Sequence, residues 1–267
     1  MKKVLITALL ITGASSAANA HEVWINSGSF ELNSDEQTVY SLDVARSADA
    51  FIAEANHQVK YLNVLSPTGV QAKLDAAFSG QNKEVFEQDF SEKGTYYFRS
   101  PMTQVFLTFY RDADGKKHKV NLPKSRYNEL PENVKIEKTV EKQMITETYI
   151  SYNGFSDPKI VQQEEGITLT SSKHPNMYRV GDEISFAISL NNQPLNNAEF
   201  SIKSLNNIYD SEFEQIELFT DDNGKVAFTP SSTGRYIIAV EHSIELKNDT
   251  GADQRSIELF RSFDVVQ

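Results

Sequence analysis

Apolar and polar residues alternate over short stretches along most of the chain. The alternation is seen in 37–45, 183–190 and 232–246, and the segments 95–100 and 105–111 are rich in aromatic and β-branched residues. A period of two is typical of β-strands that bury one face, and strands of this length separated by turn residues are typical of sandwiches. The pattern predicts an all-β fold of two β-sandwich, immunoglobulin-like domains.

Turn residues and prolines divide these strands into groups. Asp114-Gly115 separates two strand-like runs and predicts a hairpin, and Asn223-Gly224 predicts a turn that leads into a strand. The segment 121–135 contains two prolines and many turn formers, which indicates a linker. The charged segment after it has helical features, but 145–152 is rich in Thr, Ile and Tyr and favours a strand.

These boundaries predict four parts of the chain. We expect a signal peptide over 1–20, an N-terminal β domain over 21–125, a linker and connecting strand over 126–165, and a C-terminal immunoglobulin- or prealbumin-like sandwich over 166–267.

The first twenty residues have the features of a secretory signal. Lys2 and Lys3 precede a short apolar run, and Ala18 and Ala20 fit the small-residue cleavage pattern. Cleavage after Ala20 leaves His21 as the first residue of a periplasmic protein. No later segment is long and apolar enough to span a membrane, so we expect a protein that does not cross the bilayer.

Composition narrows the functional classes. The formal net charge is −11, which disfavours nucleic acid as a partner and attracts cations. The chain has no cysteine, so it forms no disulfide and offers no thiolate ligand or nucleophile. It shows neither a phosphate-binding loop nor a Gly-x-Ser-x-Gly nucleophile motif, and we predict a binding protein rather than an enzyme.

An N-terminal histidine has a chemical property that an internal histidine lacks. Its α-amine has a pKa of about 8, so it loses its proton to a metal at moderate cost. The amine and the imidazole of His21 can therefore chelate one ion together. A second imidazole would complete a nitrogen site for Cu(II), Ni(II), Co(II) or Zn(II). The alternative is that cleavage leaves a histidine there without a role.

Of the four further histidines, three are candidates for the second imidazole and His118 is not. His57 lies in a predicted turn, and Pro175 imposes an extended conformation on His174, so both can project from the surface. His242 lies on the apolar face of its predicted strand, which indicates either a core residue or a ligand at a domain junction. His118 lies among lysines, which disfavour a cation.

Several motifs together resemble a known family. They are "AHEVWI" after the signal, "ANHQVKYLNVLSPTG", "SSKHPNMYRVGDEISFAISLNNQPLNNAEFSI" and "FTDDNGKVAFTPSSTGRYIIAVEH". The chain resembles an exported bacterial domain-of-unknown-function family once labelled "nickel uptake substrate-specific transmembrane region". Its C-terminal half resembles the prealbumin-like or carboxypeptidase-regulatory β-sandwich.

The resemblance implies a periplasmic protein of transition-metal uptake or handling, with nickel and cobalt as the suggested ions. We expect it to act in uptake or delivery, with a membrane metal transporter as a candidate partner. His21 matches the start of the family, His174 its His-Pro-Asn segment, and His57 and His242 further histidines. We expect a divalent metal bound by these four residues.

Two other functions stay open. A copper redox enzyme would use His21 with a second imidazole as a histidine brace. A non-catalytic interaction or carbohydrate-binding module would bind no metal and would engage a glycan or protein through aromatic side chains.

Overall fold

The computed structural model describes residues 21–36, 38–158, 166–208, 215–247 and 251–267. The predicted signal peptide, 1–20, lies outside the described residues, as does the segment 159–165 of the predicted connecting region.

Nearly all of the described elements are β-strands. Twenty strands occur in the described ranges: β1 Glu22–Ser27, β2 Glu31–Leu32, β3 Thr38–Ser47, β4 Tyr61–Leu65, β5 Gln71–Asp75, β6 Phe78–Ser79, β7 Glu84–Phe90, β8 Gly94–Arg99, β9 Thr103–Arg111, β10 Lys117–Asn121, β11 Lys135–Tyr152, β12 Ile167–Ser171, β13 Tyr178–Arg179, β14 Ile184–Leu190, β15 Gln193–Pro194, β16 Glu199–Ser204, β17 Ile216–Phe219, β18 Lys225–Phe228, β19 Gly234–Glu245 and β20 Gln254–Val266. Three short 3₁₀ helices span Lys124–Glu129, Pro175–Met177 and Leu205–Ile208. The predicted all-β class is confirmed.

The strands form three sheets. The first sheet has the order β1-β3-β7-β6. The central sheet runs β17-β16-β19-β20-β11-β8-β4-β5, with β2, β9, β10 and β13 attached to it. The third sheet contains β12, β14 and β15, and β18 pairs with β14.

The two smaller sheets pack on different parts of the central sheet. In the first sandwich, Leu42 and Phe86 of the first sheet share a buried core with Phe98 and Ile150 of β8 and β11. In the second sandwich, the third sheet faces β16, β19 and β20, and each sheet places alternate side chains in the core. That core includes Phe186, Ile188, Phe200, Ile238 and Phe263. The predicted β-sandwich architecture is confirmed.

The strand β11 lies at the centre of the central sheet. It pairs in parallel with β20, from Val140↔Gln254 to Thr148↔Ser262, and antiparallel with β8 and β9. Residues 144–152 are all buried, which explains their strand-like composition. The charged first half of β11 is also a strand, although its composition has helical features. Ion pairs to β20, such as Lys142–Glu258 at 2.5 Å, stabilise it in place of core contacts.

The two predicted turns differ in what they connect. Asp114-Gly115 closes the antiparallel β9–β10 hairpin, with Gly115 at φ +79°, as predicted. Asn223-Gly224 also forms a turn, in which the Asp221 carboxylate accepts the backbone N–H groups of Asn223 and Lys225. However, this turn is not a hairpin, because β17 pairs within the central sheet and β18 within the third sheet.

The predicted linker, 121–135, is packed against the body of the protein. It contains the 3₁₀ helix Lys124–Glu129, and the Leu122 N–H donates to the Phe106 carbonyl of β9 at 3.0 Å. Leu122 is buried there, and the Tyr127 hydroxyl lies 2.7 Å from Thr139 Oγ1.

Candidate metal centre

His21 lies on the surface directly before β1. Its imidazole is half exposed, and its Nε2 lies 3.9 Å from Oε2 of the equally exposed Glu54. Glu54 reaches this position because Ala55 forms an antiparallel bridge with Arg46 of β3, the strand that pairs with β1. The fold therefore places an imidazole and a carboxylate side by side at the beginning of the first strand.

The residue after His21 is firmly held. Glu22 is 4% exposed, and its Oε1 lies 2.9 Å from Nζ of Lys203 on β16. Burial raises the pKa of the Glu22 carboxyl, and the Lys203 ammonium opposes that rise. The ion pair fixes the position of β1 and, with it, the backbone on which His21 stands.

His57 is buried rather than projecting from a turn. It is 7% exposed, and its Nε2 lies 3.0 Å from Oγ1 of Thr103. Burial, with a smaller contribution from the charge of Arg46, lowers the pKa of His57 to about 4. The ring is neutral at neutral pH, as a metal ligand must be. However, a positive charge that opposes a proton also opposes a metal cation.

His174 connects the loop before β13 to the central sheet. Its Nδ1 accepts the backbone N–H of Asn176 at 3.1 Å, and its Nε2 lies 3.0 Å from the Ser156 carbonyl and 2.9 Å from Thr95 Oγ1. Since a carbonyl only accepts, Nε2 carries the ring proton. Burial lowers the pKa of His174. Both ring nitrogens are therefore engaged in hydrogen bonds, one of which a metal would have to replace.

The remaining two histidines occupy other strands. His242 on β19 is partly exposed, pairs in register with Ile257 of β20, and has a pKa lowered by burial. His118 stacks on Tyr110, and its Nε2 lies 2.6 Å from Oδ2 of Asp112. Within the described ranges, no group of three or more His, Asp and Glu side chains has a geometry that could hold a metal ion. The four predicted ligands therefore do not form such a group in the described part of the chain.

A buried charged cluster, which no sequence motif singles out, lies at the centre of the molecule. Oε2 of Glu147 on β11 accepts a hydrogen bond from Arg99 Nη1 at 2.7 Å and one from the Tyr97 hydroxyl at 2.5 Å. Oε1 of Glu147 accepts from Arg261 of β20. The available signal was a single charged residue within each of three short, otherwise uncharged segments, "TYYFRS", "ITETYISY" and "LFRSF".

The fold and the site together define an all-β protein of two sandwiches that share one sheet, with an exposed imidazole at the first strand. Residues 18–244 match the family described as a domain of unknown function, DUF4198, and the chain belongs to that family. The comparison with curated proteins finds no match. Among the residues that the structure describes, no helix is long and apolar enough to cross a membrane.

Solved structures share only a remote likeness with the chain. Native E. coli alpha-2-macroglobulin is 11% identical with a TM-score of 0.23, over 92% of this chain and 14% of that one. The D0-D1 domain of intimin is 12% identical with a TM-score of 0.22, over 90% and 99% of the two chains. The tandem V-type regions of a chitin-binding protein, VCBP3, are 10% identical with a TM-score of 0.21, over 90% and 98%. The chain thus spans about a seventh of the macroglobulin, and likenesses at this level carry no argument about function.

Proposed function

We propose that the protein is exported, begins at His21 after cleavage, and binds a divalent transition metal there for uptake or delivery to a membrane transporter. The observation that carries the proposal is the half-exposed His21 imidazole, 3.9 Å from the Glu54 carboxylate, at the start of a firmly held strand.

The donor atoms follow from the chemistry of a terminal histidine. The α-amine nitrogen and the imidazole Nδ1 can close a six-membered chelate ring with one ion, whereas Nε2 of the same ring cannot. In this arrangement Nε2 carries the proton and faces Glu54. Metal-bound histidines commonly donate their second N–H to a carboxylate, which orients the ring and strengthens the ligand. We therefore assign His21 as the ligand and Glu54 as its orienting partner.

The identity of the metal rests on the family resemblance rather than on the donors. Nitrogen ligands bind divalent ions in the order Co(II) < Ni(II) < Cu(II) > Zn(II) in any protein. The resemblance favours nickel or cobalt as the transported ion. Further coordination positions are filled by water, by a partner, or by the histidines at 57, 174 and 242 that are predicted from the sequence.

The decisive experiment compares two forms of the metal-free protein. Ni(II), Co(II), Cu(II) and Zn(II) are titrated calorimetrically into a chain that begins at His21 with a free α-amine and into the same chain with that amine acetylated. We expect stoichiometric binding to the first form and at least about a hundredfold weaker binding to the second, because acylation removes the amine as a donor. Equal affinities, or no binding to either form, would overturn the proposal.

Single substitutions then test the individual roles. Glu54→Gln should weaken the best-bound metal by about tenfold, as expected for a partner that orients a ligand. Glu87→Gln, at another exposed position, is the matched control and should leave the affinity unchanged.

The histidines predicted from the sequence are tested in the same titration. His57→Gln, His174→Gln and His242→Gln each remove one imidazole from the chain. A loss of affinity as large as that caused by acetylation identifies a further ligand, and unchanged affinity limits the protein's contribution to His21.

A further inference from the structure

The buried charged cluster holds more positive than negative charge. The side chains of Arg99, Arg261 and Glu147 are 7%, 2% and 1% exposed. Burial alone would raise the pKa of Glu147, but Arg261 and Arg99 hold it below its usual range, so the carboxylate is ionised. Two guanidinium groups therefore share a single carboxylate.

The hydroxyl of Tyr97, which donates to Glu147, does not supply a second negative charge to this cluster. Burial, with the charge of Glu147, raises the pKa of Tyr97 well above its ordinary value, so Tyr97 stays neutral. Among the described residues, Glu147 is the one carboxylate within 4.0 Å of the Arg99 guanidinium. Burying an isolated charge costs free energy. We therefore expect the one excess positive charge of this buried cluster to be paired with a counter-ion.

A cavity of about 750 Å³ reaches this cluster. Tyr97 and Arg99 line it, together with Arg255, whose charge is compensated by Glu141 at 2.9 Å. No aspartate or glutamate of the described residues lines the cavity, although the chain as a whole carries a net charge of −11. The cavity thus places open volume beside the cluster's excess positive charge.

The guanidinium of Arg99 has more N–H donors than its hydrogen bonds to the described residues use. Its Nη1 donates to Tyr97 and Glu147, and its Nη2 donates to the Ile167 carbonyl at the long distance of 3.4 Å. A guanidinium has five N–H donors. In the described part of the chain, these three hydrogen bonds leave donors for a ligand in the cavity.

We propose that this cavity binds a small organic monoanion, with its carboxylate on Arg99 and its apolar body against Leu65, Ile145 and Ile257. A carboxylate matches the planar fork of a guanidinium, and one negative charge matches the one excess positive charge. The apolar side chains and the amides of Asn63 and Gln143 suit a ligand with both apolar and polar parts better than a bare inorganic anion.

The ligand class is tested with four probes on the metal-free protein at low ionic strength. Benzoate, hexanoate, the neutral benzamide and inorganic phosphate are titrated by calorimetry. We expect a carboxylate to bind with a stoichiometry of one, and benzamide to bind at least about tenfold more weakly than benzoate, because it lacks the charge. Binding of neither carboxylate, equal binding of benzoate and benzamide, or tighter binding of phosphate would overturn the proposal.

Two substitutions place the ligand in the cavity. Asn63 is exposed on β4 and pairs in register with Arg99, so Asn63→Asp adds an opposing charge to the cavity wall without disturbing a core. It should weaken benzoate by at least about tenfold. Asn82→Asp makes the same charge change at an exposed position outside the cavity and should have no effect.

Arg99→Met removes the excess charge and leaves the pair Glu147–Arg261. Its benzoate binding should be lost. Unchanged affinity in Asn63→Asp would overturn the location even if Arg99→Met failed to fold. His21→Gln should keep full benzoate affinity, which separates this cavity from the proposed metal centre.

Discussion

Glu22 of the first sandwich and Lys203 of the second form a buried ion pair, with 2.9 Å between Oε1 and Nζ. The two side chains are 5% and 19% exposed, and Lys203 also donates to the Ala48 carbonyl at 3.4 Å. The second carboxylate oxygen of Glu22 has no hydrogen-bond partner among the described residues. The pair joins strands that are far apart in the sequence.

Removing the cation of this pair should destabilise the protein strongly. In Lys203→Met the Glu22 carboxylate stays buried without its partner, and we expect the free energy of unfolding to fall by about 3 kcal/mol. Urea unfolding at pH 7, followed by tryptophan fluorescence, measures this loss. Trp24, the single tryptophan of the chain, lies two residues from Glu22.

A double substitution and a surface pair provide the controls. Glu22→Gln combined with Lys203→Met removes the unpaired charge and should recover much of the lost stability. Lys83→Met, which breaks the partly exposed and longer pair with Asp43 at 4.0 Å, should cost less than about 1 kcal/mol. If the double variant were no more stable than Lys203→Met, the unpaired carboxylate would not be the cause.

His57 should make stability depend on pH in a defined window. The pKa of His57 is 6.5 when the chain is unfolded and about 4 when it is folded, so between these values the unfolded state binds more protons. Stability should therefore fall as the pH drops from about 6.5 to about 4, by at most about 3 kcal/mol from this residue. Urea unfolding at a series of pH values measures the slope.

A comparison with His57→Gln separates the contribution of His57 to the pH dependence of stability from the contribution of the carboxylates. The variant should lose less stability than the unsubstituted protein over the same pH window, because glutamine does not titrate. Parallel curves for His57→Gln would contradict the buried, neutral state of this ring.

Two glycines in left-handed conformation should differ in their tolerance of alanine. At Gly224, φ is +71° and a β-carbon would clash with the Ile188 carbonyl oxygen and lie 2.9 Å from the Leu195 backbone nitrogen. At Gly115, φ is +79° and nothing lies within 4 Å. We expect Gly115→Ala to cost about 1 kcal/mol and Gly224→Ala to cost at least about 3 kcal/mol, since backbone would have to move.

Thermal unfolding of the two variants measures this difference. The strain from φ is common to both positions, so the difference reports the close approach of Gly224 to the third sheet, where its carbonyl also accepts the Ile188 N–H at 2.8 Å. Equal losses in the two variants would show that the turn, rather than the packing, sets the cost.

Predictions from the sequence succeeded where the pattern is local. The strand expected over 37–45 is β3, Thr38–Ser47, and the alternating run 183–190 is β14, Ile184–Leu190. The run 232–246 likewise corresponds to β19, Gly234–Glu245. Alternation of apolar and polar residues is a property of neighbouring positions, so it can be read without knowing the partner strand.

The candidate site was predictable only in part. That His21 stands at the start of a strand follows from the residues around it, but its neighbour Glu54 is brought there by the bridge between Arg46 and Ala55. His57 was expected at the surface and is buried against Thr103, because strands distant in the sequence cover it. Whether a turn residue is buried depends on the distant segments that pack over it, and a local sequence pattern does not contain that information.

By itself, the sequence determined the all-β class, most of the strands and the positions of the tight turns, because periodicity and the need for a positive φ act over a few residues. Only the tertiary structure decided that β11 and β20 pair in parallel at the centre of one sheet. It also decided that Glu147 meets Arg99 and Arg261, and that no three His, Asp or Glu side chains of the described residues come together as a metal site. The physical reason is that strand pairing and burial depend on contacts between segments far apart in the chain, where many registers satisfy the same local pattern.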